Sequence, residues 1–146
     1  MTLTRMRWWH IAEILPIEED LFGAEKWSAA MFWNELAMRR FYLVAVEEQR
    51  ILGYAGLSVV DAEESWVQNI AVRRDAQKRG IGRDLLEALL AEAARQGSGK
   101  TLLEVAVDNE PAQRLYARYD FEPVGIRRGY YQPSNTDALV MMRSAH

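Results

Sequence analysis

The feature that most constrains this chain is a glycine turn, Gln77-Lys78-Arg79-Gly80-Ile81-Gly82, set between two strongly patterned segments. Residues 65–72 before it form a β-rich run. Residues 81–96 after it carry Ile81, Leu85, Leu86, Leu89, Leu90 and Ala93 at helical spacing, so their side chains share one stripe. Gly97 and Gly99 end that helix. Strand, glycine turn and helix in this order suit an anion. Glycine lets backbone N–H groups approach a phosphate, and the helix N-terminus adds partial positive charge. Lys78, Arg79 and Arg83 cluster where the dipole disfavours cations, and a bound anion resolves that conflict. A solvated basic loop entering an ordinary helix also fits these residues.

Two nucleotide-binding patterns fit poorly. No G-K-[ST] follows a spaced first glycine, so this is not a Walker A loop. Leu85 stands where a dinucleotide fingerprint has its third glycine.

The remaining pattern places strands at residues 3–9, 41–46, 51–60, 101–107, 121–128 and 136–143. Helices are expected over residues 10–22, 28–38 and, beginning at the cap Asn109, along Ala112, Leu115, Tyr116 and Tyr119. Pro16 interrupts the first of these, and Ser28 caps the second. Glu47-Glu48-Gln49-Arg50 has hairpin length. A loop with Gly129 and Pro133 joins the last two strands. There is no repeat or linker, which predicts one α/β domain over residues 1–146.

Composition narrows the functional classes. The 146 residues are 49% apolar and 27% charged, a globular balance. The net charge of -3 gives no general reason to expect a nucleic-acid partner. The absence of cysteine excludes disulfides, thiolate metal sites and a cysteine nucleophile. His10 and His146 lie near opposite ends, which disfavours a histidine metal site or a Ser/His/Asp triad. No apolar run is long enough for a transmembrane helix, and the first residues lack a signal core. A reducing cytoplasm is therefore the expected compartment, with no membrane partner and no metal.

Alternation along residues 101–107 puts Leu102, Glu104 and Ala106 on one face of a strand. Burial there would raise the Glu104 pKa and make it a better base. A glutamate near a strand end that reaches water fits the spacing equally well. Tyr116, taken alone, reads as a packed aromatic, and Asn109 as a helix cap.

Q-x-x-G-x-G between a strand and an amphipathic helix resembles motif A of the GNAT acetyltransferase superfamily. The resemblance runs from about residue 3 to residue 143 and is strongest from Gln68 to Met142. Four stretches are similar to its RimI group: Asn69-Ile70-Ala71-Val72, Leu103-Glu104-Val105 with Asn109, Leu115-Tyr116, and Arg127-Arg128-Gly129-Tyr130-Tyr131. This implies a mixed, mostly antiparallel sheet of about seven strands, splayed between the fourth and fifth and flanked by about four helices. It implies acetyl-CoA as cosubstrate, its pantetheine beside Ile70, Ala71 and Val72. The pyrophosphate would lie over Lys78, Arg79, Gly80, Ile81, Gly82 and Arg83, with Asn109 adding a contact to CoA. The resemblance further assigns Glu104 as general base, through water, and Tyr116 as the acid that protonates the departing thiolate. An N–H near Val72 would hold the oxyanion.

On the acceptor side, the resemblance places Trp27, Phe22, Tyr130 and Tyr131 along a groove, with Trp33 read as core or rim. The implied acceptor is a protein N-terminal amine, typically the alanine of a small-subunit ribosomal protein. The chain would act as a monomer or weak dimer. Acetylation of a small amine is an alternative, since Glu18, Glu19, Asp20, Glu63 and Glu64 could supply an acidic groove. A non-catalytic acyl-CoA-binding module is another. Two positions depart from the family pattern. Gly129 replaces a frequent asparagine, and Asp120 replaces the glycine of an L-G-F turn, where it could strain a left-handed residue.

Overall fold

The computed structural model describes residues 1–144; His146 lies outside them. Among the described residues the α/β expectation holds, with seven strands and four α-helices. They run β1 (Thr2–Arg5), α1 (Ile11–Phe22), α2 (Ala29–Ala37), β2 (Phe41–Glu47), β3 (Arg50–Val59), β4 (Glu64–Val72) and α3 (Ile81–Arg95). β5 (Lys100–Ala106), α4 (Glu110–Ala117), β6 (Glu122–Tyr131) and β7 (Thr136–Ser144) follow. The sheet order is β1-β2-β3-β4-β5-β7-β6, antiparallel except for β4 against β5.

Alternation along the central strands builds two cores. Leu43, Ala45 and Leu57 face the α3 stripe, where Leu85, Leu86 and Leu89 are fully buried. Tyr42, Val44 and Tyr54 face α1, meeting Ile11, Ile14 and Ile17. Burying each such aliphatic side chain contributes about 1.5–3 kcal/mol, so the paired layers hold the sheet from both faces.

The parallel pair is short. Glu64, Ser65 and Trp66 pair with Lys100, Thr101 and Leu102, and the strands then part. At the closed end the Ser65 and Thr101 hydroxyls lie 2.9 Å apart, both residues buried. Lys100 N–H donates to the Glu63 carbonyl at 3.0 Å. This is the splay expected between the fourth and fifth strands.

Two residues beyond the last pair, β4 carries a bulge. Asn69 opposes Gly56 and Val67 opposes Leu57, which leaves Gln68 as the extra residue. Val67 and Ile70 therefore both pack toward α3, although they are three residues apart. Gln68 and Asn69 are consecutive, yet both are left for the α1/α2 side. Gln68 is held there by the buried Glu35 carboxylate at 2.9 Å, which also accepts from the Tyr42 hydroxyl at 2.8 Å.

Three local expectations are corrected. The first strand ends at Arg5 rather than residue 9, because residues 8–10 form a 3-10 turn in which His10 Nδ1 accepts from Arg7 N–H at 2.9 Å. Pro16 does not interrupt α1; the helix runs through it, forgoing one backbone bond. β6 continues through Gly129 to Tyr131, so the two tyrosines sit on a strand end rather than in a loop. The hairpin after β2 turns at Glu48 and Gln49, both with positive φ.

Asp120 has φ 67, the left-handed conformation in which the family pattern has glycine. Replacing Asp120 by Gly relieves that conformation, and we expect a gain of about 1 kcal/mol. For a chain of this size this raises Tm by about 2–4 °C, read by thermal denaturation. An unchanged or lower Tm would show that the Asp120 side chain compensates locally.

Candidate active site

Two clefts meet at the gap between β4 and β5. The first, about 840 Å³, runs along Ile70, Ala71 and Val72, over the glycine turn, to α4. The second, about 500 Å³, takes in Glu18, Trp27, Asn69, Glu104, Asn109 and Tyr131. Ile70, Ala112 and Tyr116 border both.

The first cleft has the donors an extended anion needs. From Asn69 to Val72, β4 pairs only with β3, so its other edge faces the gap. Gln77 Nε2 donates to the Val72 carbonyl at 3.1 Å and ties the turn to the strand end. Gly80, with φ 84, stands at the N-cap of α3 and offers no side-chain cap. The first N–H groups of α3 thus lack an intrahelical or capping partner and lie beside the cleft. Lys78, Gly80, Ile81, Gly82 and Arg83 line it. A Cβ on Gly80 would stand 2.7 Å from the Arg83 guanidinium, so glycine is needed for Arg83 to lie over the turn. Arg79 is placed differently: its guanidinium pairs with Glu47 at 2.5 Å, and it does not line the cleft. This uncapped, basic helix start fits a pyrophosphate.

At the meeting point, Glu104 projects from β5. Its side chain is 15% exposed, with Oε1 3.9 Å from Arg127 Nη1. Its Oε2 is buried and meets no group within hydrogen-bond distance among the described residues, although the Tyr130 hydroxyl stands close enough to the carboxylate for its own pKa to be raised by it. Arg127 in turn sits over the rings of Trp66 and Tyr130, at 5.6 and 5.8 Å. Tyr116 comes from α4, whose start is fixed twice. Asn109 Oδ1 accepts from Ala112 N–H at 3.3 Å, and Gln113 Nε2 donates to the Ala106 and Val107 carbonyls at 3.1 Å. Tyr116 packs edge-on against Phe121, 5.9 Å between centroids. Burial raises its pKa, which keeps the phenol protonated.

The aromatic candidates separate. Trp27 and Phe22 line the second cleft, and Trp27 packs on Phe32 at 5.2 Å. Tyr131 lines it as well, and its pKa is raised first by burial and then by Tyr130, Glu104 and Tyr116 nearby. Tyr130 is 46% exposed and does not line the cleft. Its pKa is raised by burial and then by the Glu104 carboxylate. The two rings touch edge-on at 5.0 Å, where left-handed Gly129 and the irregular register of β6 break strict alternation. Trp33 is neither core nor cleft; it is 47% exposed and stacks on Trp8.

Of the acids considered for a groove, only Glu18 reaches the cleft, where Glu25 and Asp108 join it. Asp20 instead pairs with Arg74 at 3.2 Å, and Glu64 accepts from the Trp66 indole at 2.9 Å. Glu18 is only 1% exposed. It accepts from Trp27 N–H at 2.9 Å and from the Tyr54 hydroxyl at 2.8 Å, anchoring the α1–α2 loop to β3. Its helical spacing from Ile11 and Ile14 is the sequence signal that it faces inward. Asn69 had no such signal, because a bulge puts it on this side.

Burial raises the Glu18 pKa above 4.5, against the two hydrogen bonds that lower it. A carboxylate with a raised folded pKa stabilises the fold most below its unfolded pKa, and that contribution is lost as pH rises through the folded value. Glu18→Gln removes this titration. The Tm of the wild type relative to Glu18→Gln should therefore increase as pH falls from about 7 to about 4. Parallel melts across that range check it, and a pH-independent difference would contradict it.

The comparisons agree with this geometry. Residues 5–121 match the model of the Acetyltransferase (GNAT) family. The chain is 40% identical over 134 residues to the N-alpha-acetyltransferase RimI of Mycobacterium tuberculosis, covering 88% of this chain and 83% of that protein. It is 36% identical over 125 residues to the ribosomal protein bS18-alanine N-acetyltransferase of Salmonella typhimurium, 84% of each. Its fold matches the crystal structure of the ribosomal-protein-S18-alanine N-acetyltransferase from Escherichia coli with a TM-score of 0.89 and 29% identity, over 98% of this chain and 92% of that one. Arabidopsis thaliana NAA60, solved in complex with acetyl-CoA, shares the fold at a TM-score of 0.88 and 17% identity, over 98% and 97%. With its split sheet, uncapped glycine turn and family match over most of its length, this chain belongs to the GNAT acetyltransferase family.

Proposed function

We propose that the chain, as one acetyltransferase domain, transfers the acetyl group of acetyl-CoA to the N-terminal α-amine of a protein. The acceptor class we assign is an N-terminal alanine of a small-subunit ribosomal protein, following the ribosomal protein bS18-alanine named for the Salmonella relative. The observation that carries this reading is the meeting of a phosphate-competent cleft and a carboxylate-bearing cleft at Tyr116. In this reading the cosubstrate takes the first cleft, along Ile70 to Val72 and over Lys78 and residues 80–83. The acceptor enters the second, past Trp27 and Tyr131. Among the described residues no helix is long and apolar enough to cross a membrane. We place the reaction in the cytoplasm, carried out by a monomer or weak dimer without a metal.

The chemistry assigned to each residue follows from its surroundings. An amine attacks a thioester only when neutral, so a base must take its proton. We assign that task to Glu104, which lines the second cleft, while Arg127 compensates charge at Oε1. The expelled thiolate needs a proton. We assign the role of donor to Tyr116, which borders both clefts. A backbone N–H near Val72 stabilises the oxyanion between these steps.

Glu104→Gln should lower turnover by about 10²–10⁴-fold and leave acetyl-CoA affinity nearly unchanged. Steady-state kinetics with calorimetric CoA titration read both; wild-type turnover would remove Glu104 from the mechanism. The acceptor is identified by incubating the chain with acetyl-CoA and a library of N-terminal peptides, followed by mass spectrometry. The acids Glu25 and Asp108 in the second cleft favour one alternative, a small cationic amine. Acetylation of amines but of no peptide would select it, and binding without any turnover would select a non-catalytic module.

A further inference from the structure

Asn69 is the one cleft side chain whose amide is buried at both ends without a partner. Neither Oδ1 nor Nδ2 has a hydrogen bond among the described residues, and both atoms are out of contact with solvent. Leaving such a group unpaired costs about 1–3 kcal/mol. The chain keeps it nonetheless, and spends a β-bulge to aim it: without the extra residue Gln68, strand alternation would turn Asn69 toward α3. Its neighbour Gln68 is satisfied by Glu35, so the unsatisfied amide is not a general property of this stretch. Asn69 lines the second cleft together with Glu104, whose Oε2 is the other cleft oxygen in the same condition. These atoms lie just under the cleft surface, so an acceptor that uncovers them meets a donor, an acceptor and a carboxylate oxygen with no partner among the described residues.

We propose that Asn69 anchors the acceptor's first residue, with Nδ2 donating to its first peptide carbonyl and Oδ1 accepting from its α-amine. This rests on the protein-acceptor reading above and sharpens it. A free N-terminus presents an amine and a carbonyl on adjacent backbone positions, matching the acceptor and donor of one primary amide. A simple amine has no carbonyl and satisfies only half of Asn69. The residue thus separates N-terminal peptides from small amines by leaving a buried donor unpaired with the latter. It also fixes where the amine sits relative to Glu104.

The test compares an alanine-starting peptide with its analogue in which a trans-alkene replaces the first peptide bond. The wild type should prefer the native peptide by about tenfold to hundredfold in kcat/KM, mainly through KM. In Asn69→Ala that preference should fall to about one, with acetyl-CoA affinity and Tm close to wild type. A merely structural role for Asn69 would lower both substrates equally and keep the ratio. If Asn69→Ala does not fold, Asn69→Ser carries the same comparison through a side chain too short to reach. A preference that survives the substitution overturns the Asn69 assignment and leaves the protein-acceptor reading intact. A wild type that acetylates small amines and no N-terminal peptide overturns both.

Discussion

The site depends on where β4 and β5 stop pairing. Pairing ends after Trp66 and Leu102, with the Ser65–Thr101 hydroxyl contact at the closed end. Beyond that point neither strand has a partner on its inner side. The backbone of Ile70 to Val72 becomes one wall, and the face of β5 that carries Glu104 becomes another. The opening is stable because each half of the sheet is otherwise fully supported. β4 remains paired with β3 up to Val72, and β5 with β7 up to Ala106. The α3 stripe packs under one half, and α4 closes over the end of the other through Tyr116 and Phe121.

Charge is distributed along this opening in a consistent way. Basic groups gather at the uncapped start of α3, where Lys78 and Arg83 line the cleft. Carboxylates gather in the other cleft, where Glu18, Glu25, Glu104 and Asp108 lie. An anion and a cation are thereby drawn to opposite sides of one gap. Two of the four acids already have assigned partners, Glu18 with Trp27 and Tyr54, and Glu104 with Arg127. Glu104 keeps one oxygen uncommitted, whereas both Glu18 oxygens are committed to holding the α1–α2 loop.

Much of the architecture was legible because it rests on periodicity. Every residue of the α3 stripe is buried, Ser28 and Asn109 cap their helices, and the hairpin falls where its length put it. The glycine turn was legible because two glycines and three cations stand between a strand and an amphipathic helix; that Gly80 is a left-handed N-cap is added by the structure. What could not be read depends on tertiary pairing. A bulge at Gln68 leaves no compositional trace, so Asn69 was placed only as part of a motif. Arg79 looked equivalent to Lys78 and Arg83 until Glu47, far away in sequence, was found to hold it. Trp33 reads as core by type, but Phe32 takes the inward position and leaves Trp33 on the outer side of α2. Tyr130 and Tyr131 were expected in a loop because Gly129 and Pro133 flank them, yet β6 absorbs the left-handed glycine.

A sheet opened in its middle has four edges where a closed one has two. The outer edge at β6 carries Pro123, Arg127 and Arg128, which discourage another chain from adding there beside the exposed Val124 and Ile126. The inner edges have no such protection, since Ile70, Ala71, Val72, Leu103 and Val105 flank them. On an open surface, unpaired backbone beside apolar side chains would invite association between copies. Here the two edges converge on Ser65, so the space between them narrows to a closed end. That taper turns an aggregation hazard into a socket with a fixed direction.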